Sequence, residues 1–329
     1  MTFLITGGSG FIGSNLCQAL ERDGESFRII DRRPSPFYPD QAIEMDILDQ
    51  ERLVQSVTGD TIIHLAAEHR DDIRPLSRYD QVNVEGTRNI CRAASLRGID
   101  RIVFTSSVAV YGFAAPDTGE DGRINPFNAY GRTKFEAEEV LLAWQAEAPE
   151  RRSLVIIRPT VVFGPGNRGN VFNLLSQIAR GRFVMVGAGE NRKSMAYVEN
   201  VVAFIRHMAK SGPGVHVCNY VDKPDLSMNE LVSHVRQTVL GKPGVGLRLP
   251  SWLGMGLGHV ADGVTRVTGK RLPLSAIRVK KFTSSTAFAT AAHQVPGFAA
   301  PVSLSDGIAR TLDAEFLHPD PERPVFETE

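Results

Sequence analysis

The chain opens MTFLITGGSGFIG, an apolar strand-like run that breaks into a turn and then continues as FIGSNLCQALERDG, which has helical spacing. Seven of the first thirteen residues are Gly, Ser or Thr, and four of them are glycine. A strand that enters a helix through Gly7, Gly10 and Gly13 meets three needs of a phosphate-binding turn. It gives a tight bend, room for a pyrophosphate against backbone, and close packing of helix on sheet. The unpaired N–H groups and positive end of the helix, where Phe11 and Ile12 sit, then face the anion. Asp31 stands 18 residues beyond Gly13, at the end of the next apolar run, FRIID. A carboxylate there accepts hydrogen bonds from the adenosine ribose and repels a 2′-phosphate, so the expected cofactor is NAD rather than NADP. Arg32 and Arg33 follow immediately and soften that preference.

The pattern of the first half agrees with this turn. TFLIT, FRIID, AIEMD, TIIHLAA, RIVFTSS and SLVIIRP are almost continuous apolar runs, as strands buried on both faces of a parallel sheet require. Helical spacing fills the intervals 11–23, 49–56, 80–97 and 128–147, the last with a start signal at Pro126 and Asn128. The expected fold class is α/β, a Rossmann-type doubly wound parallel sheet with a smaller C-terminal α/β substrate domain. The expected boundaries are 1–165 for the first domain, with a return near 195–220. The second spans 166–315, and 316–329 forms a loose tail.

Bulk properties remove several classes of function. Lys plus Arg and Asp plus Glu number 37 each, so no strong attraction to nucleic acid or anionic membrane is expected. No basic segment precedes the first strand and no 18-residue apolar run occurs, so neither a signal peptide nor a membrane span is expected. The nearest candidate, LPSWLGMGLGHVADGV at 249–264, contains four glycines, a histidine and an aspartate, and reads as a packed helix. Cys17, Cys91 and Cys218 have no CxxC spacing and read as buried thiols of a reducing compartment, which implies the cytoplasm. The eight histidines show no metal-ligand spacing, and His64, ending a strand, reads as structural.

Three residues carry the expected chemistry. Tyr130 and Lys134 lie four apart at the start of a helix and project from one face. A neighbouring ammonium favours phenolate, so a lowered Tyr130 pKa is expected, and Lys134 can also hold the nicotinamide ribose. Ser107 ends the strand RIVFTSS, on the carboxyl edge where open α/β sheets bind ligands, and its hydroxyl can bridge a reacting substrate oxygen.

Seven motifs occur in order: TGGSGFIG, DI at Asp46–Ile47, HLAA, NVEGT, FTSSVAVYG, YGRTK and RPTVVFGPG. With them the chain resembles the extended short-chain dehydrogenase/reductases, in particular the nucleotide-sugar epimerase/dehydratase branch typified by UDP-glucose 4-epimerase. The resemblance runs from residue 2 to about 315. It implies that Asp46 and Ile47 lie at the adenine and that Leu65, Ala66 and Ala67 line the cofactor. It also implies that Asn83 is near the nicotinamide side and Pro159 near the carboxamide. Towards the substrate diphosphate it implies Lys193, with Arg192 beside it, Arg278, and Arg168 with Asn170 at a helix start.

Absences narrow the reaction. The dehydratases of this family carry an acid pair where this chain reads Ser106-Ser107-Val108, and the decarboxylases a glutamate. Without an acid to expel water, oxidation and reduction at a carbinol remain. The expected activity is an NAD-dependent nucleotide-sugar 4-epimerase, with UDP as the expected nucleotide, acting through a 4-keto intermediate. The alternative is a reductase or dehydrogenase of a 4-keto nucleotide sugar. A non-catalytic nucleotide sensor is expected to lose Tyr130 or Lys134, and both are present. A homodimer is also expected, with helices 80–97 and 128–147 paired across a four-helix bundle and Leu141, Leu142 and Trp144 covering more than one face.

Overall fold

The computed structural model describes residues 1–70, 73–256 and 283–327. Strand β1 (Thr2–Thr6) leads through the glycine turn into helix α1 (Phe11–Arg22), and β2 (Ser26–Asp31) and β3 (Ala42–Glu44) follow. Next come α2 (Gln50–Ser56), β4 (Thr61–His64) and one turn, α3 (Ser77–Tyr79), that runs through a π-helical stretch, Asp80–Glu85, into α4 (Gly86–Arg97). Strand β5 (Arg101–Thr105), helix α5 (Ala129–Ala146) and strand β6 (Ser153–Pro159) complete the run. The helix expected at 80–97 thus begins three residues earlier.

The strands make one seven-stranded sheet in the order β10-β6-β5-β4-β1-β2-β3, every pair parallel, with β10 at Gly214–Tyr220. Alternate residues of β1 feed opposite faces. Phe3 and Ile5 pack with α1 and with α7 (Val198–Met208), whereas Leu4 packs with α2, α4 and α5. The chain order reverses between β1 and β4, which leaves a crevice at their carboxyl ends, the usual ligand position in such sheets.

After β6 the strands shorten. β7 (Val161–Phe163), β9 (Arg192–Tyr197) and β11 (Asp222–Ser227) form a three-stranded sheet, and β8 (Met185–Val186) pairs with β12 (Arg248–Leu249). Helices α6 (Asn170–Ala179) and α8 (Met228–Leu240), with the helix Leu304–Leu312, bury Phe163, Leu175, Leu231 and Ile308 in a separate cluster.

Three expectations need correction. The tail 316–329 is not loose throughout, because Phe326 hydrogen-bonds through its backbone to Gly166 and Arg168 and packs on the Phe11 ring, with centroids 5.8 Å apart. Leu141 and Trp144 fill this chain's own core rather than an outer face, and only Leu142 of the three is exposed. Of the apolar stretch 249–264, only the part before 257 lies within the described residues, and there Trp252 stands 75% exposed instead of packed. The three cysteines are buried and unbridged.

Helix α5 reaches the sheet edge because residue 131 is glycine. A Cβ there would lie 2.4 Å from the Ala109 carbonyl oxygen. The helix start is fixed by Asn128, whose Oδ1 accepts from the Gly131 N–H at 2.9 Å. Gly131→Ala is therefore expected to push α5 off the 3₁₀ turn Val108–Tyr111, costing about 1–3 kcal/mol. A thermal melt of the variant checks this, and an unchanged midpoint refutes it.

Candidate active site

A cavity of about 930 Å³ occupies the crevice. Its floor is the glycine turn. Gly7 has φ +74°, and a Cβ on it would lie 2.6 Å from the Ala66 nitrogen; one on Gly13 would lie 2.4 Å from the Gly7 oxygen. Helix α1 has no side-chain cap at Gly10, so its first N–H groups stay available to an anion. Above it the Asp31 carboxylate is aimed by two backbone donors, Ser9 N–H and Arg33 N–H, each at 3.1 Å. A glycine cradle that side chains would fill, a bare helix start and a held carboxylate together fit a dinucleotide.

The reactive end lies where β5 and α5 converge. Ser107 caps the 3₁₀ turn, its Oγ accepting from Ala109 N–H at 3.1 Å, and Ser107 and Tyr130 both line the cavity. Burial pushes the Tyr130 pKa up to about 12, against the lowering pull of Ser107. This reverses the expectation of a depressed phenol. The cause is desolvation, and Lys134 does not offset it. Lys134 is itself buried, 2% exposed, and desolvation pulls its pKa down to about 7 while the Glu138 carboxylate pulls the other way. Its ammonium lies 4.1 Å from the centre of the Phe104 ring, and no hydrogen bond joins it to another described residue. It lines the cavity with its donors unspent.

All the residues expected at the cofactor line this cavity except Asn83. Asn83 is buried behind the wall, where Oδ1 accepts from the Glu68 N–H at 2.7 Å and Nδ2 donates to the Glu68 carbonyl at 3.0 Å and to Thr133 Oγ1 at 2.9 Å. It holds the loop that follows β4. His64 is structural, as its sequence position suggests: burial drives its pKa down to about 3 and keeps it neutral. Ser106 also lines the cavity, and its buried hydroxyl has no hydrogen-bond partner among the described residues.

On the substrate side Asn170 and Lys193 line the cavity. Lys193 donates to the Ser284 carbonyl at 2.6 Å, and burial lowers its pKa to about 8. Arg192 turns away to the Asp225 carbonyl. Arg168 does not reach the cavity, because Glu315 holds it at 2.8 Å over the Phe172 ring. Arg278 lies outside the described residues. Sequence reading missed Arg158, which makes a buried two-pronged pair with Glu138 at 3.0 and 2.6 Å and donates to Tyr111 Oη at 2.7 Å. The signal was a glutamate one turn past Lys134, at helical spacing.

The NAD dependent epimerase/dehydratase family matches this chain over residues 3–219. The chain belongs to that family. Among curated relatives, the N-acetyl-α-D-glucosaminyl-diphospho-ditrans,octacis-undecaprenol 4-epimerase of Escherichia coli O157:H7 is 49% identical, over 99% of this chain and 98% of the relative. The UDP-glucose 4-epimerase of Vibrio cholerae is 29% identical over 82% of this chain and 85% of its own length. Among solved structures, MoeE5 in complex with UDP-glucose and NAD superposes with a TM-score of 0.73 at 28% identity, covering 95% of this chain and 98% of that one. The epimerase is NAD-dependent, and both curated relatives are 4-epimerases, one named for a UDP-sugar and the other for a sugar on a polyprenyl diphosphate.

Burying Lys134 has a cost that pH exposes. Its folded pKa of about 7 lies below the ordinary lysine value, so between these values the unfolded chain binds more protons. Stability from this group is therefore fully present above the ordinary value and is lost as pH falls towards 7. Lys134→Met is expected to melt above the wild-type epimerase at pH 7, with the gap narrowing as pH rises to 9. Nucleotide-free melting curves check this; a gap independent of pH refutes it.

Proposed function

We propose that this epimerase inverts C4 of a sugar held on a diphosphate, with Tyr130, Ser107 and Lys134 as the catalytic residues. The observation that carries the reading is the convergence of Ser107, Tyr130 and Lys134 on one cavity at the carboxyl edge of the sheet, with the Lys134 ammonium unspent. Tyr130, in the phenolate form that the positive charge of bound NAD⁺ would favour, takes the proton from the 4-hydroxyl and later returns it to the same oxygen, to which Ser107 donates a hydrogen bond. Lys134 holds the nicotinamide ribose. NAD, when bound, would supply the hydride acceptor and donor for the sugar carbon, held by the glycine turn, Asp31 and Lys134. Val108 and Ala109 add no acid that could expel water, so the sequence of steps ends in epimerisation.

The carrier has two readings. A nucleotide, UDP, accords with the sequence expectation and with relatives that act on or bind UDP-sugars. A polyprenyl diphosphate is favoured by the 49% identical relative and by the aliphatic wall that Val161, Leu174, Met195 and Leu231 give the substrate side of the cavity. Either carrier presents the diphosphate to Lys193 and to the start of α6 near Asn170. We further propose a homodimer through α4 and α5, supported by exposed Leu96 and Leu142, and a cytoplasmic location, in keeping with three free thiols. Sedimentation at micromolar concentration tests the dimer.

Incubation without added cofactor, with UDP-N-acetylglucosamine and with polyprenyl-diphospho-N-acetylglucosamine in parallel, tests the function. The 4-epimer is expected from at least one, and product from neither refutes the reading. Tyr130→Phe is expected to lower turnover on the accepted substrate about a hundredfold or more while NAD affinity changes little. Near-normal turnover overturns the catalytic assignment.

A further inference from the structure

We propose that Glu68 is a second determinant of NAD over NADP, and that it acts by holding the Arg32 guanidinium away from the adenosine ribose. Arg32 directly follows Asp31 at the end of β2, where a guanidinium is well placed to receive a 2′-phosphate. The sequence alone therefore leaves cofactor choice balanced between a carboxylate that repels the phosphate and an arginine that attracts it.

Tertiary structure removes that balance. Glu68 lines the same cavity as Asp31 and Arg32 and is 7% exposed. Its carboxylate lies 3.6 Å from Arg32 Nη2, its one ion pair among the described residues. A carboxylate with little access to water gains from a cation beside it, and Arg32, 48% exposed, is free to follow. The backbone that carries Glu68 is fixed opposite Arg32, because Asn83 grips both the N–H and the carbonyl of residue 68. Asn83 is fixed in turn by Thr133, the residue before Lys134. The backbone around Arg32 is equally constrained. Asp31 accepts from Ser9 and Arg33 N–H groups, and Ser9 Oγ donates to the Arg33 carbonyl. Only the Arg32 side chain is left to swing, and Glu68 claims it. A 2′-phosphate then meets two carboxylates and a cation already engaged.

Displacement of bound NADH from the full-length chain by NAD⁺ or NADP⁺, followed by cofactor fluorescence, reads the preference directly and does not depend on turnover. The wild-type chain is expected to bind NAD⁺ at least tenfold more tightly than NADP⁺ (roughly 1.4 kcal/mol). Glu68→Gln keeps the side-chain shape and the Asn83 grip but frees Arg32, and is expected to improve NADP⁺ binding about fivefold with NAD⁺ unchanged. Arg32→Ala alone is expected to leave NADP⁺ binding as it was, since Arg32 is already engaged. The double variant Glu68→Gln/Arg32→Ala is expected to lose the gain. An unchanged NADP⁺/NAD⁺ ratio in Glu68→Gln overturns the proposal. So does a gain that survives in the double variant, which assigns the effect to the Glu68 charge or to Arg33.

Discussion

Two backbone segments lie in contact at the centre of this molecule, and the glycine turn has no room for a side chain there. Gly7 approaches the end of β4 so closely that a Cβ would stand 2.6 Å from the Ala66 nitrogen, and Gly13 sits on the carbonyl of Gly7 itself. That closeness brings the start of α1, the end of β4 and the end of β2 to one point. The bare N–H groups of α1, the Asp31 carboxylate and the loop bearing Glu68 face one another only because of it. The turn is tied to both neighbours, since Gly7 N–H donates to the Ile30 carbonyl, Ser9 N–H to the Asp31 carboxylate and Leu65 N–H to the Thr6 carbonyl.

From that point a chain of buried hydrogen bonds carries order towards the reactive end. Thr87 Oγ1 donates to the Asn83 carbonyl at 2.6 Å, so the His64 ring donates to Thr87 through Nε2, at 3.0 Å. Nδ1 is then the acceptor for Thr6 Oγ1 at 2.7 Å. A protonated ring would break this chain, and burial prevents it. The same Asn83 side chain grips Glu68 and touches Thr133 on α5. Sheet, loop and catalytic helix are thus joined through polar groups that are fully satisfied inside the core, which fixes their geometry more tightly than apolar packing alone.

The reactive end is held at the expense of stability. Desolvation opposes the charged forms of both Tyr130 and Lys134, raising one pKa and lowering the other. An ammonium left without a hydrogen-bond partner in the interior is unfavourable for folding, and its value lies in what it offers a ribose. The buried Glu138–Arg158 pair directly behind it, joined to Tyr111 and Asn219, keeps α5 seated on β6 and the 3₁₀ turn while leaving that ammonium free.

The sequence by itself determined the parallel sheet, because strands buried on both faces must be apolar throughout and helices between them must alternate. It also determined the glycine turn and the Tyr130–Lys134 pair, because each depends on spacing within a single element. Contacts between distant segments were decided by tertiary structure alone. Asn83 reads as a cofactor ligand until its amide is seen gripping Glu68. Arg168 reads as a diphosphate contact until Glu315, nearly 150 residues away, is seen to hold it. The direction of the Tyr130 pKa also lay beyond the sequence, since spacing to Lys134 is local whereas desolvation depends on everything packed around the ring. Arg32 is the sharpest case. Its neighbour in sequence, Asp31, suggests a divided cofactor site, but its neighbour in space, Glu68, engages its charge through a fold-dependent contact that no linear spacing encodes.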